Sequence, residues 1–362
     1  MIASIAKGVA AAGAKSGTAR AMSTIRYAEF GHPLNVLKSD SLLNDARTEA
    51  DDKDAPLGAG QVALKFLAAP INVADLSQIQ GAYAIRPKFP AVGGNEGVAV
   101  VTAVGSGVSN VKVNDRVIPT QAAFGTWRNK AVASSADVLK VSDKIAIADA
   151  ATLSVNPATA FRLLADFAPL AKGDVIIQNG ANSSVGQAVI QLAALRGIKT
   201  INVIRDDGEY DQTVEHLKSL GATIVCTADY LGSAKFKELI SDLPAPKLAL
   251  NGVGGTSSRE IAKTLAKNGV HVTYGGMSKE PVSVGTGSLI FHGITLKGFW
   301  MSEWVKDASL EERTAMLTEL ASLVEQGKLR TWIQTYKFAD FDDALLAAVN
   351  RTTKRKVVLL ME

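Results

Sequence analysis

The sequence predicts an α/β protein in two parts, a β-rich unit followed by a doubly wound parallel sheet with helices on its faces, and three observations predict it. The chain has 362 residues, about twice a typical single domain, so two cores are expected. Its pattern changes at Ala150. Before that point short β-rich runs are punctuated by Gly, Pro, Asn and Asp; after it strand and helix patterns alternate, which favours parallel pairing. The third observation is residues 175–194, Val-Ile-Ile-Gln-Asn-Gly-Ala-Asn-Ser-Ser-Val-Gly-Gln-Ala-Val-Ile-Gln-Leu-Ala-Ala, an apolar run, a small-residue turn from Gly180 to Gly186 and an amphipathic helix. Small side chains let a backbone approach a pyrophosphate, and the N–H groups at a helix N-terminus point toward that charge. The glycines do not spell the full G-x-G-x-x-G, and a plain strand-to-helix connection also uses small residues.

Each element follows in order. Between 25 and 149 the β-rich runs are 61–67, 97–104 and 138–141, with little sustained helical periodicity. Beyond Ala150, segments 175–179, 200–204, 223–226, 248–251, 270–273 and 294–299 read as strands, apolar on both parities as buried parallel strands are. A helix over 310–326 follows Trp304, and a last β-like segment ends in Lys-Val-Val-Leu-Leu-Met at 356–361. That tail does not extend the alternation, so it is expected to return to the first unit, with an active site in the cleft between the two. The chain then divides into 1–24, a catalytic unit of 25–150 plus 306–362, and a dinucleotide-binding unit of 151–305.

Hydrophobic residues make up 47% and charged residues 20%, the composition of a soluble globular protein. No apolar run approaches the roughly 20 residues of a membrane span. The formal charge is +4, and Lys7, Lys15, Arg20 and Arg26 all precede the first acid, Glu29. The remainder is close to neutral, which argues against a nucleic-acid groove. At about 100° per residue Ile2, Ile5, Val9 and Ala12 share a helix face, with Lys7 opposite and Lys15 to the side. This acid-free, Ala/Ser/Gly-rich start predicts a mitochondrial transit peptide over 1–24 and a matrix location; a plain basic tail is the alternative. The single cysteine, Cys226, forbids an internal disulfide and fits a reducing interior, and its apolar neighbours place it in the core.

Nineteen residues after Gly186 stands Arg205-Asp206-Asp207, about where a doubly wound unit reads the adenosine ribose. Arg205 offers a planar donor to a 2′-phosphate and favours NADPH, the two aspartates oppose it, and a solvated turn is the bland alternative. Asn156 before Pro157 equally fits a helix cap. Four histidines and one cysteine do not readily build a Cys/His zinc site.

At 93–97 the chain reads Gly-Gly-Asn-Glu-Gly. Zinc alcohol dehydrogenases of the medium-chain dehydrogenase/reductase superfamily carry a metal-ligand His where this chain has Asn95, and a cysteine-rich loop that it lacks. Further stretches are Ile-Gln-Gly-x-Tyr at 79–83, Pro-Ala-Val-Gly-Gly-Asn-Glu-Gly at 90–97, Gly-Thr-Trp-Arg at 125–128, Val-Asn-Pro-x-Thr-Ala at 155–160, Thr-Tyr-Gly-Gly-Met at 273–277 and Gly-Phe-Trp at 298–300. With the run at 177–191 they make the chain resemble, over about 25–361, the mitochondrial trans-2-enoyl-thioester (enoyl-[acyl-carrier-protein]) reductases of the zinc-free branch of that superfamily. The resemblance implies a GroES-like catalytic domain joined to a Rossmann domain, NADPH as cofactor and an enoyl thioester of acyl carrier protein or coenzyme A as substrate. It also implies a homodimer joined through the nucleotide domains. By resemblance Tyr83 is the proton donor, and Asn156, Asn182, Ser183, Ser184 and Val185 hold the cofactor. Arg205, followed by Asp206 and Asp207, stands at the 2′-phosphate. Tyr274, Gly275, Gly276 and Met277, then Phe299, Trp300 and Met301, close over the nicotinamide end, and Lys356 is a basic contact from the tail.

The residue types suit that chemistry. Hydride delivery to the β-carbon of an enoyl thioester leaves negative charge on the thioester oxygen until a proton reaches the α-carbon, and a phenol, protonated at neutral pH, can supply it. Phe299, Trp300 and Trp304 are expected as an apolar acyl wall. Three positions depart from the family pattern: Ala82 where Asn is usual, Asp207 where a second Arg would help hold the phosphate, and Val73-Ala74 in place of Pro-Ser in the loop leading to the site. Two other readings stand beside the reductase: a zinc-free quinone reductase, and a former enzyme kept as a structural subunit of a mitochondrial complex.

Overall fold

A computed structural model describes residues 24–39, 56–206, 208–350 and 353–361; residues 1–23, nearly all of the expected transit peptide, and Asp207 lie outside them. Six parallel strands form one sheet in the order Ile224–Thr227, Lys199–Ile204, Val175–Asn179, Leu248–Asn251, Val270–Thr273, Thr295–Gly298. Counted along the chain this is 3-2-1-4-5-6, the doubly wound order. Its direction of winding reverses between Val175–Asn179 and Leu248–Asn251, so a crevice opens beyond the carboxyl ends of those two strands.

A second, seven-stranded sheet runs Ile333–Lys337, Lys356–Leu360, Gln61–Pro70, Val98–Val104, Arg116–Pro119, Val138–Lys140, with Lys130–Ser134 also paired to Gln61–Pro70. The chain's last strand lies antiparallel to Gln61–Pro70, with Val358 opposite Pro70. The tail therefore returns to the first unit, as its pattern implied. One apolar cluster joins the units: Ala68, Val98 and Ile118 of the mixed sheet are buried with Ile176, Leu248 and Val272 of the parallel sheet and with Leu320. Leu320 belongs to helix Leu310–Glu325, whose start is fixed reciprocally: Glu312 N–H donates to Ser309 Oγ at 3.1 Å and Ser309 N–H to Glu312 Oε2 at 2.9 Å. Among the described residues no helix is long and apolar enough to cross a membrane.

Three expectations change. The strand Thr295–Gly298 is exposed at every position; among the described residues it pairs only with Val270–Thr273 and forms the sheet's edge, so the two-sided burial of its neighbours does not reach it. The β-rich unit contains a helix, Val73–Ile79, so Val73-Ala74 forms its first turn rather than a loop. Seven residues are too few to show helical periodicity in a window of 11 to 18. Between the long helix and the last strand the chain inserts a further strand, Ile333–Lys337, and a helix, Phe341–Asn350. The boundaries expected after 150 and 305 stand within helices Ile147–Ala151 and Met301–Asp307.

Candidate active site

A cavity of about 530 Å³ lies between the two units, with Tyr83 and Asn95 from the β-rich side, Ser154 and Val155 from the junction, and Trp300 and Met301 from beyond the parallel sheet's edge. Tyr83 is half-buried. Its hydroxyl oxygen accepts a hydrogen bond from Trp300 Nε1 at 2.7 Å, and the rings meet edge to face at 5.8 Å. An indole N–H only donates, so the phenol oxygen is fixed as the acceptor and its own proton stays available to another group. Of the three aromatic residues expected as an acyl wall, only Trp300 lines the cavity. Phe299 packs edge-on against Phe167 at 5.6 Å, and Trp304 stacks under the Arg162 guanidinium at 4.6 Å.

At the crevice, Gly180 turns the chain with φ +60°, and Ser183 caps helix Ser184–Leu195 by accepting from Gly186 N–H at 3.1 Å. A Cβ on Gly186 would stand 2.5 Å from the Ala181 carbonyl oxygen, so the helix starts closer to the turn than any side chain permits. Buried Gln178 secures this turn, its Nε2 donating to Gly186 O at 3.0 Å and to Asn202 Oδ1 at 2.8 Å. Asn179 and Asn251, both wholly buried, meet across the switch point at 2.8 Å. Their oxygens also accept from Gly252 and Gly254 N–H, holding the next loop open. Asn182, Ser183, Ser184 and Val185 form the turn and the first residues of the helix. Tyr274, Gly275, Gly276 and Met277 follow strand Val270–Thr273, where Met277 N–H donates to Gly252 O at 3.1 Å. The Tyr274 hydroxyl lies within hydrogen-bonding reach of Ser183, and burial pushes its pKa up to about 12. Arg205 and Asp206 are exposed just past Ile204. An open turn of small residues at the N-terminus of a helix, with a cation at the end of the next strand, fits a dinucleotide phosphate.

A buried polar cluster that the sequence pattern does not announce backs the cavity and supplies Asn72 and Asn95 to its wall. Asn156 does not cap its helix; it is the first helical residue, and its Nδ2 donates to Asn72 Oδ1 at 3.1 Å. Lys356 donates from Nζ to Ile71 O at 2.8 Å and to Asn72 Oδ1 at 2.5 Å. Lys356 and Asn156 are both absent from the cavity wall and meet it through Asn72, which is part of it. Burial pushes the Lys356 pKa down to about 8 against the opposing pull of Glu96 and Asp75. Burial likewise raises both carboxyl groups. Asn95 spends its carboxamide on neighbours: Nδ2 donates to Asp75 Oδ1 at 2.6 Å and to Gln78 Oε1 at 2.7 Å, and Oδ1 accepts from Ala123 N–H at 2.5 Å. A carboxamide engaged in this way does not fit a zinc ligand. The available signal was Glu96 itself, a lone carboxylate in an otherwise small and apolar stretch.

The alcohol dehydrogenase GroES-like domain family matches residues 58–143 and the zinc-binding dehydrogenase family residues 184–322. Over 337 residues, 93% of this chain and 94% of that protein, the sequence is 44% identical to the mitochondrial enoyl-[acyl-carrier-protein] reductase of Dictyostelium discoideum. The chain belongs to this reductase family. The human mitochondrial enoyl-[acyl-carrier-protein] reductase is similar at 44% identity over 336 residues, 92% of this chain and 87% of that one. The Etr1p/NADP/crotonyl-CoA complex superposes with a TM-score of 0.83 at 34% identity, covering 93% of this chain and 98% of that chain. The reductase family thus pairs a GroES-like unit with a Rossmann unit, the architecture seen here. The zinc in the name of the matched domain family has no fitting donor set at Asn95.

Proposed function

We propose that this chain reduces trans-2-enoyl thioesters, carried on acyl carrier protein or coenzyme A, to saturated acyl thioesters with NADPH in mitochondrial fatty acid synthesis. The observation that carries the reading is the meeting of Tyr83 and Trp300 in the cleft. NADPH, when bound, supplies the hydride for the β-carbon. Tyr83 holds the proton for the α-carbon, and Trp300 keeps the phenol oxygen pointed so that this proton faces outward. After the proton leaves, the same indole N–H stabilises the phenolate. Asn182, Ser183, Ser184 and Val185 receive the pyrophosphate, Arg205 the 2′-phosphate, and Asn156, Tyr274, Gly275, Gly276, Met277, Phe299, Trp300 and Met301 enclose the nicotinamide end. Asp206 and Asp207 follow Arg205 in the sequence, and their negative charge opposes that of the phosphate.

The exposed edge strand Thr295–Gly298 supports a homodimer. Shortly before it in the chain Ile290 is 67% and Phe291 76% exposed, and helix Thr286–Ile290 buries no residue. Unpaired strand edges and exposed apolar side chains are what a second copy would cover.

Purified protein given NADPH and a trans-2-enoyl-CoA is expected to consume NADPH and release the saturated acyl-CoA, and Arg205→Ala to lower the preference for NADPH over NADH by about tenfold. Faster turnover of a quinone than of any enoyl thioester would establish the quinone reductase instead. Folded protein that binds no NADPH and copurifies with a large complex would establish the structural subunit.

A further inference from the structure

Asn72 precedes helix Val73–Ile79, is 4% exposed and was singled out by no motif. Its carboxamide touches three residues. Nδ2 donates to Glu96 Oε2 at 2.9 Å, while Oδ1 accepts from Lys356 Nζ at 2.5 Å and from Asn156 Nδ2 at 3.1 Å. The two ends of a carboxamide are nearly the same shape, so partners decide which is which. An ammonium only donates and a carboxylate only accepts, so Lys356 and Glu96 allow Asn72 one orientation. Asn72 then passes that orientation on. Because its oxygen faces Asn156, Asn156 must turn Nδ2 inward, which leaves its Oδ1 as the free end. Glu96 also fixes the spacing, since its Oε1 accepts from Val155 N–H at 2.8 Å and Ser154 Oγ at 3.2 Å, the residues leading into the helix that Asn156 begins. Asp75 holds the near side, accepting from Asn72 N–H at 2.7 Å.

We propose that Asn72 is a positioning residue for the nicotinamide: locked in polarity by Lys356 and Glu96, it holds Asn156 so that Asn156 Oδ1 accepts from the carboxamide NH2 of the cofactor. This rests on the reading of Asn156 as a cofactor contact, and the test separates the two. A ligand that keeps everything but that donor is the 3-acetylpyridine analogue of NADP⁺, which has a methyl ketone in place of the carboxamide. The full-length protein is expected to bind NADP⁺ about tenfold more tightly than the analogue, since a site built to accept one hydrogen bond rejects a ligand lacking the donor. Asn72→Ala frees Asn156 to rotate, and the two affinities converge. The double variant Asn72→Asp/Glu96→Gln moves one negative charge but keeps every donor opposite an acceptor: the new amide donates to the new carboxylate, which still accepts from Lys356 and Asn156. It therefore keeps the discrimination. A general loss of stability would weaken both ligands alike and leave their ratio unchanged. Equal affinities in the parent, or an unchanged ratio in Asn156→Ala, overturn the cofactor contact. A parent that discriminates, with an Asn72→Ala that discriminates equally well, overturns the positioning role alone.

Discussion

The two ends of the cleft are built in opposite ways. The phosphate end comes from neighbours in sequence: Gly180, Ser183 and Gly186 shape one turn at a helix N-terminus, where backbone N–H groups are what the fold offers a ligand. The reaction end is assembled from remote residues, with Tyr83 and Trp300 217 positions apart and Asn72 and Lys356 284 apart. A backbone cradle tolerates exchange among small side chains wherever geometry permits, whereas an end made of single side-chain contacts depends on each of them. Variants at the two ends are therefore expected to fail differently.

The largest effect falls on turnover at the reaction end. Tyr83→Phe keeps the ring against Trp300 but removes the proton, and kcat is expected to fall by about 10² to 10⁴, with the NADPH dissociation constant from equilibrium titration unchanged. An equal loss in both would mean that the two ends are not separable. Next comes stability. Glu96→Ala strands the donors of Asn72, Val155 and Ser154 and leaves Lys356 with less compensation, a loss of about 3–5 kcal/mol measurable by urea unfolding. Gly186→Ala presses a methyl group on the Ala181 backbone and is expected to cost about 1–3 kcal/mol. It should weaken NADPH binding while leaving kcat at saturating cofactor near the parent's, the converse of Tyr83→Phe.

The smallest effect is one of pH. Lys356 titrates near 8 in the fold against an ordinary 10.5, so between those values the unfolded chain keeps a proton that the folded chain has lost. Stability contributed by this group accordingly rises with pH across that window. Urea unfolding of Lys356→Met beside the parent should show the parent gaining on the variant as pH increases; a constant difference would mean that the ammonium is not held as described.

The same contrast decides what could be read from the sequence. The strands Val175–Asn179, Leu248–Asn251 and Val270–Thr273 stand where their apolar runs ended, because a buried parallel strand writes its burial into consecutive residues. Thr295–Gly298, Thr-Leu-Lys-Gly, has no such run and is exposed at every position, as its place at the edge of the sheet allows. Tyr83 and Trp300 were named only through family resemblance. Neither periodicity nor spacing places two residues so far apart in one cleft. Asn72 was missed because the short helix it precedes shows no periodicity in the sequence, and its three partners lie 24, 84 and 284 positions away.

The most direct test follows the two hydrogens added to the double bond. Reduction of a trans-2-enoyl-CoA by NADPH in heavy water, with the product read by mass spectrometry and NMR, should place one solvent deuterium on the α-carbon and none on the β-carbon. The cofactor end then supplies one hydrogen and the Tyr83 end the other. Solvent deuterium at the β-carbon, or unreduced thioester after incubation with folded protein, would contradict the assignment.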